Sequence, residues 1–446
     1  MAAKKFVLIG AGSMAFSQAL ITAIGGSKSF RGSTIALVDI NEESLDTMQK
    51  LTSRLTKEMD WDLNVEYSTD RTEVLSGADV ISVTIAVGGD EAYQRDILIP
   101  SKYGYVQGVG DTTGIAGVAR ALRHVPVMVE IADDVSKFCP GARFYNFTNP
   151  LTILTRAINK LTPIPCTGLC IGVELTRKDF CGFIGEDPQG TTCYAAGINH
   201  LHFLLDIRKN GRDIYEIGRK KARDIFSDEN KRKEYIASGG ITPFNVQLFD
   251  ALGYYPGPMD HHISEFFPQF TASNDTQHEE FPYDQAYYRG VMENHPKLMR
   301  QYKDMANGLS PLNTEAFSRE TALEETQLTE IEAALESPAA RLFHLNIPNA
   351  GYIRNLPDGV VVEVPVYVDS AGYHPVCVGD LPGQCIPTIA RNALIHDLII
   401  EASMEGSFDK ALAAFVNDPN CNDIPTAKKC LKELIDANIA YLPRFA

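Results

Sequence analysis

The chain opens on a regular exchange of short apolar runs and amphipathic stretches. Lys5 to Ile9 has the length of a strand, Phe16 to Ile24 reads as helical, Thr34 to Val38 is a second strand and Leu45 to Met59 an amphipathic helix. A strand from Asp79 to Ala86 follows, then a helix carrying Arg95 and Asp96, a helix from Val118 to Phe138 and a strand from Arg143 to Phe147. Strands separated by helices of this length predict a parallel sheet covered on both faces. From Ile198 the pattern changes. Leu201 to Ile207 alternates as an antiparallel strand, long helical stretches follow, Ser318 to Ser337 is an amphipathic helix, and Val360 to Val368 is the clearest strand of the second half. Helices from Thr388 to Glu405 and from Ala427 to Ile439 complete it.

Composition narrows the class. At 446 residues the chain exceeds one ordinary core, so two lobes sharing a cleft are expected. A net charge of -16 argues against nucleic-acid and anionic-membrane partners, which reward clustered Lys and Arg. The longest apolar runs are strand-sized and MAAKKFVLIG has no cleavable signal character, which places the protein in the cytoplasm. Nine scattered cysteines without a CxxC pair read as small buried side chains, of which one or two at most are ligands.

Chemistry enters at the ends of the predicted strands. Gly10, Gly12, Ser13, Met14 and Ala15 form G-x-G-x-x-A between a strand and a helix, where glycines let backbone amides approach a pyrophosphate. The second strand ends in Asp39, placed either to bind the ribose hydroxyls of NAD and repel the extra phosphate of NADP, or to cap the helix beginning at Asn41. Gly88, after the Asp79 to Ala86 strand, fits the same crevice. The expected fold class is therefore α/β, a Rossmann-type parallel-sheet domain over 1–195 with a C-terminal α+β substrate and metal-binding domain over 196–446. Asn146 and Asn149 sit at the tip of the Arg143 to Phe147 strand, the first a candidate cofactor contact and the second a candidate substrate contact or turn residue. Arg95 is a substrate candidate or a solvated charge. Cys170 and His200 can together hold a divalent metal with positions left open for substrate, although such a pair alone is more often a buried thiol and a core histidine. The segment around Asp260, His261, His262 and Glu265 gathers two imidazoles and two acids in one junction, and adjacent histidines cannot both face a core.

Taken together, VLIGAGS, VGDTTG with RALRHVP, NFTNP, GLC, AGINH, LGYYP through HISEFFP, SRE, VVEVPVYVD and VGDLPGQ resemble glycoside hydrolase family 4 over nearly the whole chain. The resemblance implies an NAD- and metal-dependent glycosidase, with manganese the usual metal, outside the two-carboxylate scheme of most glycosidases. It implies hydride transfer from C3 of the sugar, loss of the C2 proton, elimination of the C1 substituent, addition of water and return of the hydride. Cys170 and His200 match the family's metal ligands; Gly10, Gly12 and Ser13 match its dinucleotide loop. Two departures stand out: Ile171 replaces the polar residue that commonly follows the Cys, and GIAG (Gly114 to Gly117) replaces GPGG. An isoleucine donates no proton, which leaves Asp111, Asp260 and His262 as the candidate catalytic proton carriers. The motif set is closest to enzymes of unphosphorylated α-galactosides, glucosides or glycuronides. The alternatives are a 6-phosphoglycosidase, with Arg95, Arg120 or Arg354 on an anionic group, a sugar dehydrogenase, or an NAD-binding sensor. A homodimer or homotetramer is expected, with 272–312 as a lid or contact region.

Overall fold

The computed structural model describes residues 3–13, 16–271, 285–313 and 323–446. Six parallel strands form the first half of one sheet: β1 (Lys5–Ile9), β2 (Ser33–Val38), β3 (Leu63–Ser68), β4 (Val80–Val83), β5 (Arg143–Asn146) and β6 (Cys166–Gly168), in spatial order β3-β2-β1-β4-β5-β6. That order reverses direction between β1 and β4, and the reversal opens a crevice at the carboxyl ends of the strands. β1 is buried on both faces because alternate residues enter different cores. Phe6 and Leu8 pack with Leu37 and Leu51 on one side, Val7 and Ile9 with Val38 and Val125 on the other.

The sheet does not stop at β6. β11 (Arg341–Pro348) pairs antiparallel with β6 through Asn346 and Gly168, and β12 (Val361–Asp369), β7 (Thr191–Ile198), β8 (Leu201–Lys209) and β10 (Pro256–Gly257) extend it in that order. β9 (Arg212–Asp213) and β13 (Gly372–Pro375) pair on β8 and β12. The expected division at 195/196 thus falls inside β7, with one sheet running across it. β3 and β11 escape the periodicity reading: β3 alternates between half-buried and exposed positions at a sheet edge, and RLFHLNIP mixes polar residues into a strand that is only half covered.

Helices α1 (Ser17–Gly25), α2 (Glu42–Glu58), α3 (Gly89–Lys102), α4 (Gly114–Phe138), α5 (Leu151–Leu161) and α6 (Gly172–Ile184) follow the strands. α4 begins at Gly114, four residues before the expected start, because Asp418 accepts the Gly114 amide at 3.0 Å and completes the first turn. The last long helices, Ile386–Glu405, Phe408–Val416 and Ile424–Ala437, return to pack on α4 and its neighbours, so Ile399, Phe415 and Leu434 share a core with Val125. The helix expected from Ser318 is described from Leu323 to Ala334; its first residues lie outside the described set, as do Met14 and 272–284. Among the described residues no helix is long and apolar enough to cross a membrane.

Candidate active site

The carboxyl ends of the parallel strands carry, in chain order, the Gly10–Ser13 turn, Asp39, the Val87–Gly88 turn, Asn149 and Cys170. His200 comes in from the tight β7–β8 turn, where it adopts φ 63, and Asp111 from the Gly-rich segment before α4. The short helix Asp260–Ile263 supplies His262.

These pieces meet. Cys170 Sγ lies 3.6 Å from His200 Nε2, and the Gly172 amide donates to the same sulfur at 3.3 Å. One ligand atom from each of Asp111, His200 and His262 lies within 4.8 Å of the others, and the His200 and His262 rings are 4.0 Å apart. Burial depresses all three imidazoles here, His200 to about 4 and His261 and His262 to about 3, so they are neutral and free to ligate near pH 7. Burial alone would raise the Asp111 carboxyl, but a proton taken up by the adjacent imidazoles, the Arg120 guanidinium and the Thr112 hydroxyl all work against it and hold it below the usual carboxylate range. His262 Nδ1 and His261 Nε2 are buried without a hydrogen-bond partner. Asp111, His200 and His262 form a buried donor set that fits a divalent transition cation, and Cys170 adjoins it through His200.

The dinucleotide end is equally built. Gly12 donates its amide to Asp39 Oδ2 at 2.8 Å, and a Cβ on Gly12 would lie 2.8 Å from that oxygen and 2.7 Å from Ser44 Cβ. Helix α2 is capped by Asn41, whose Oδ1 accepts from the Ser44 amide, so Asp39 does not serve as the cap. Instead it ties the Gly-rich turn to the end of β2, its two carboxylate oxygens accepting the amides of Gly12 and Asn41. The next turn is held from α4: Val87 donates to His124 Nε2 at 3.0 Å and accepts from Arg123 Nε at 2.9 Å. Gly88, at φ 82, has a packing reason of its own, since a Cβ there would meet Ala92 and the ring of Tyr441.

Three expected contacts are placed elsewhere. Asn146 is fully buried and turned inward: its Nδ2 donates to Thr148 O, Leu151 O and Thr155 Oγ1, and its Oδ1 accepts the Thr148 amide, so it shapes the β5 turn and leaves cofactor contact to others. Arg95 lies on the outside of α3, bonded to Ala437 O and Glu91; its neighbour Asp96 is neither solvated nor in the site but makes a fully buried pair with Arg123. Asp260 points at the start of the helix Pro243–Leu252, where it accepts the Asn245 amide at 3.1 Å, and burial pushes its carboxyl up to about 7. Asn149 is in the site, donating to Asp111 Oδ2 at 2.9 Å.

Several further residues complete the site, of which the sequence marks Arg120 only for an anionic group and Glu265 only as an acid of its junction. Arg120 donates to the Asn149 carbonyl and lies over the Tyr93 ring. Thr112 touches both Asp111 and His200. Tyr287 stacks on His261, with ring centroids 4.9 Å apart. Glu265 accepts the amides of Val109 and Gly110, the two residues before Asp111, at 2.9 and 2.8 Å, and its own carbonyl is held by Asn420. The hint in the sequence is its place in the junction with Asp260, His261 and His262.

Comparison with known proteins gives the family. An α-galactosidase from Bacillus subtilis is 29% identical over 449 residues, covering 99% of this chain and 100% of that protein. An α-galacturonidase from Thermoanaerobacterium saccharolyticum is 27% identical over 451 residues, 97% of this chain and 95% of that protein. The crystal structure of a 6-phospho-α-glucosidase from gut microorganisms, in complex with NAD and Mn2+, superposes with a TM-score of 0.83 over 99% of both chains at 19% identity. Residues 5–186 match the model of the family 4 glycosyl hydrolases and residues 195–421 that of the family 4 glycosyl hydrolase C-terminal domain. The chain belongs to family 4 of the glycosyl hydrolases.

Proposed function

We propose that this chain is a glycosidase of unphosphorylated α-glycosides, a galactoside, glucoside or glycuronide, working with NAD and a divalent cation such as Mn2+. The observation that carries the reading is the meeting of Cys170, His200, Asp111 and His262 beside a dinucleotide crevice in a chain of this family. When bound, NAD accepts and returns a hydride at the sugar ring while the cation polarises adjacent sugar oxygens and makes the neighbouring proton acidic. Cys170 and His200 would hold the cation, and Asp111 and His262 stand close enough to His200 to assist. Asp111, kept ionised, is in position to accept a proton, and the unpartnered Nδ1 of neutral His262 to accept or return one. Asp39 selects NAD over NADP through its charge. Ile171, at the start of α6 next to Cys170, offers the leaving group no proton, so aglycones that depart without protonation are turned over best.

The α-galactosidase and α-galacturonidase among the relatives support an α-glycoside without phosphate, while the 6-phosphoglycosidases among them keep the phosphorylated alternative in the test. Of the candidate arginines for an anionic group, Arg95 is engaged with Ala437 and Glu91, while Arg120 stands beside Asp111 and could meet a carboxylate such as that of a glycuronide. We also infer a cytoplasmic homodimer or homotetramer, to be checked by light scattering on the purified protein.

The test is a panel of 4-nitrophenyl α- and β-glycosides, uronides and 6-phosphates with NAD and Mn2+, following nitrophenol and NADH together. The proposal expects nitrophenol release that requires both additions while NADH stays flat. Release from the 6-phosphates alone would refute the substrate class. NADH accumulating without nitrophenol would favour the second reading, a sugar dehydrogenase, for which Ile171 is the supporting feature.

A further inference from the structure

The hydroxyl of Thr112 sits between the two halves of the site. Its Oγ1 is 2.6 Å from Asp111 Oδ1 and 2.8 Å from His200 Nδ1. A hydroxyl has one proton to give, and an ionised carboxylate can only accept. Thr112 therefore donates to Asp111, which leaves its lone pair to accept from His200. That assignment puts the imidazole proton on Nδ1 and leaves the lone pair on Nε2, the nitrogen facing Cys170 Sγ at 3.6 Å. The relay is anchored at both ends: Asp111 Oδ2 accepts from Asn149 Nδ2 at 2.9 Å, and the His200 backbone is held in a tight turn. Thr112 itself has little freedom. Its carbonyl packs over α4 at Gly117, where an added Cβ would come within 2.9 Å of the carbonyl oxygen.

We propose that Thr112 is a positioning residue that fixes the tautomer and orientation of His200 and thereby sets the affinity of the site for a divalent cation. The proposal rests on the metal-dependent reading of this site. Partners of the non-ligating nitrogen of a metal-bound His raise metal affinity by about 10- to 100-fold in other proteins. Neither Cys170 nor His200 needs to change for the effect to be lost, because removing the hydroxyl frees the ring to rotate and to adopt the other tautomer.

The experiment is a Mn2+ titration of the NAD-saturated protein, read by the electron paramagnetic resonance signal of free Mn2+. It compares wild type with Thr112→Val, Thr112→Ala and Thr112→Ser. Valine keeps the shape without the hydroxyl, alanine provides a second hydroxyl-free variant, and serine restores the hydroxyl. Calorimetric NAD binding identifies the folded variants. The expected result is a rise of about 10- to 100-fold in the Mn2+ Kd for the folded hydroxyl-free variants, NAD affinity unchanged, and serine close to wild type. Wild-type Mn2+ affinity in a hydroxyl-free variant overturns the inference, as does a serine variant as weak as valine. A wild-type protein that binds NAD but no Mn2+ overturns the metal reading itself.

Discussion

Glu265→Ala removes a side chain that holds the segment before Asp111 and is expected to disable the site. One oxygen, Oε1, accepts the amides of both Val109 and Gly110. Alanine leaves two buried donors without an acceptor, at about 1–3 kcal/mol each, so a loss of about 3 kcal/mol is expected. With an unfolding entropy of about 2.1 cal/mol/K per residue over a chain of this size, that loss lowers Tm by about 3 °C. Catalysis should suffer more than stability suggests. The freed amides belong to the segment that delivers Asp111, and a displacement of about 1 Å there costs on the order of 100-fold in turnover. Glu265→Gln keeps an oxygen acceptor and should retain most of the stability and activity. The assays are differential scanning calorimetry, NAD affinity and kcat on whichever nitrophenyl glycoside is turned over. The reasoning is refuted by an alanine variant with parental Tm and kcat, or by a glutamine variant as damaged as alanine.

Three further outcomes are expected. Cys170→Ser should keep NAD binding by calorimetry and lose turnover; full activity would remove the thiol from the metal site. Asp96→Ala leaves the Arg123 guanidinium buried without its carboxylate, and chemical denaturation should show a loss of about 3–5 kcal/mol, a value under 1 counting against the pair as a structural element. Asp260 carries a carboxyl raised to about 7, so between its ordinary value and that pH the folded chain holds a proton the unfolded chain has released. The stability from this group is full in acid and lost as pH rises through about 7. Asp260→Asn, neutral throughout, should gain Tm relative to its parent between about pH 5 and pH 8.5, and a pH-independent difference would refute the assignment.

Local pattern was enough for the dinucleotide half because the information there is local. A strand, a Gly-rich turn and a helix follow one another within a few residues at Lys5 to Ile24, and their period of apolar positions states which is which. Cys170 and His200, which the fold brings within 3.6 Å, each stand next to a turn that the motifs mark. The errors fell where a polar side chain has two possible partners. Asn146, Arg95 and Asp260 each had the chemistry for a ligand, but Asn146 satisfies its own turn, Arg95 a helix end and Asp260 the helix Pro243–Leu252. Sequence spacing carries no information about that choice.

What the chain determined by itself is the alternation of strands and helices, the glycine turns that need close backbone approach, and the set of residues capable of ligation. Tertiary structure alone decided that one sheet runs through both halves and that the final helices return to α4. It also decided that Thr112, Arg120 and Glu265 complete a site whose named members come from Asp111, Cys170, His200 and His262. The physical reason is that burial and hydrogen-bond satisfaction depend on neighbours hundreds of positions away. Glu265 and Val109 are separated by 156 residues, and nothing local in either segment announces the other.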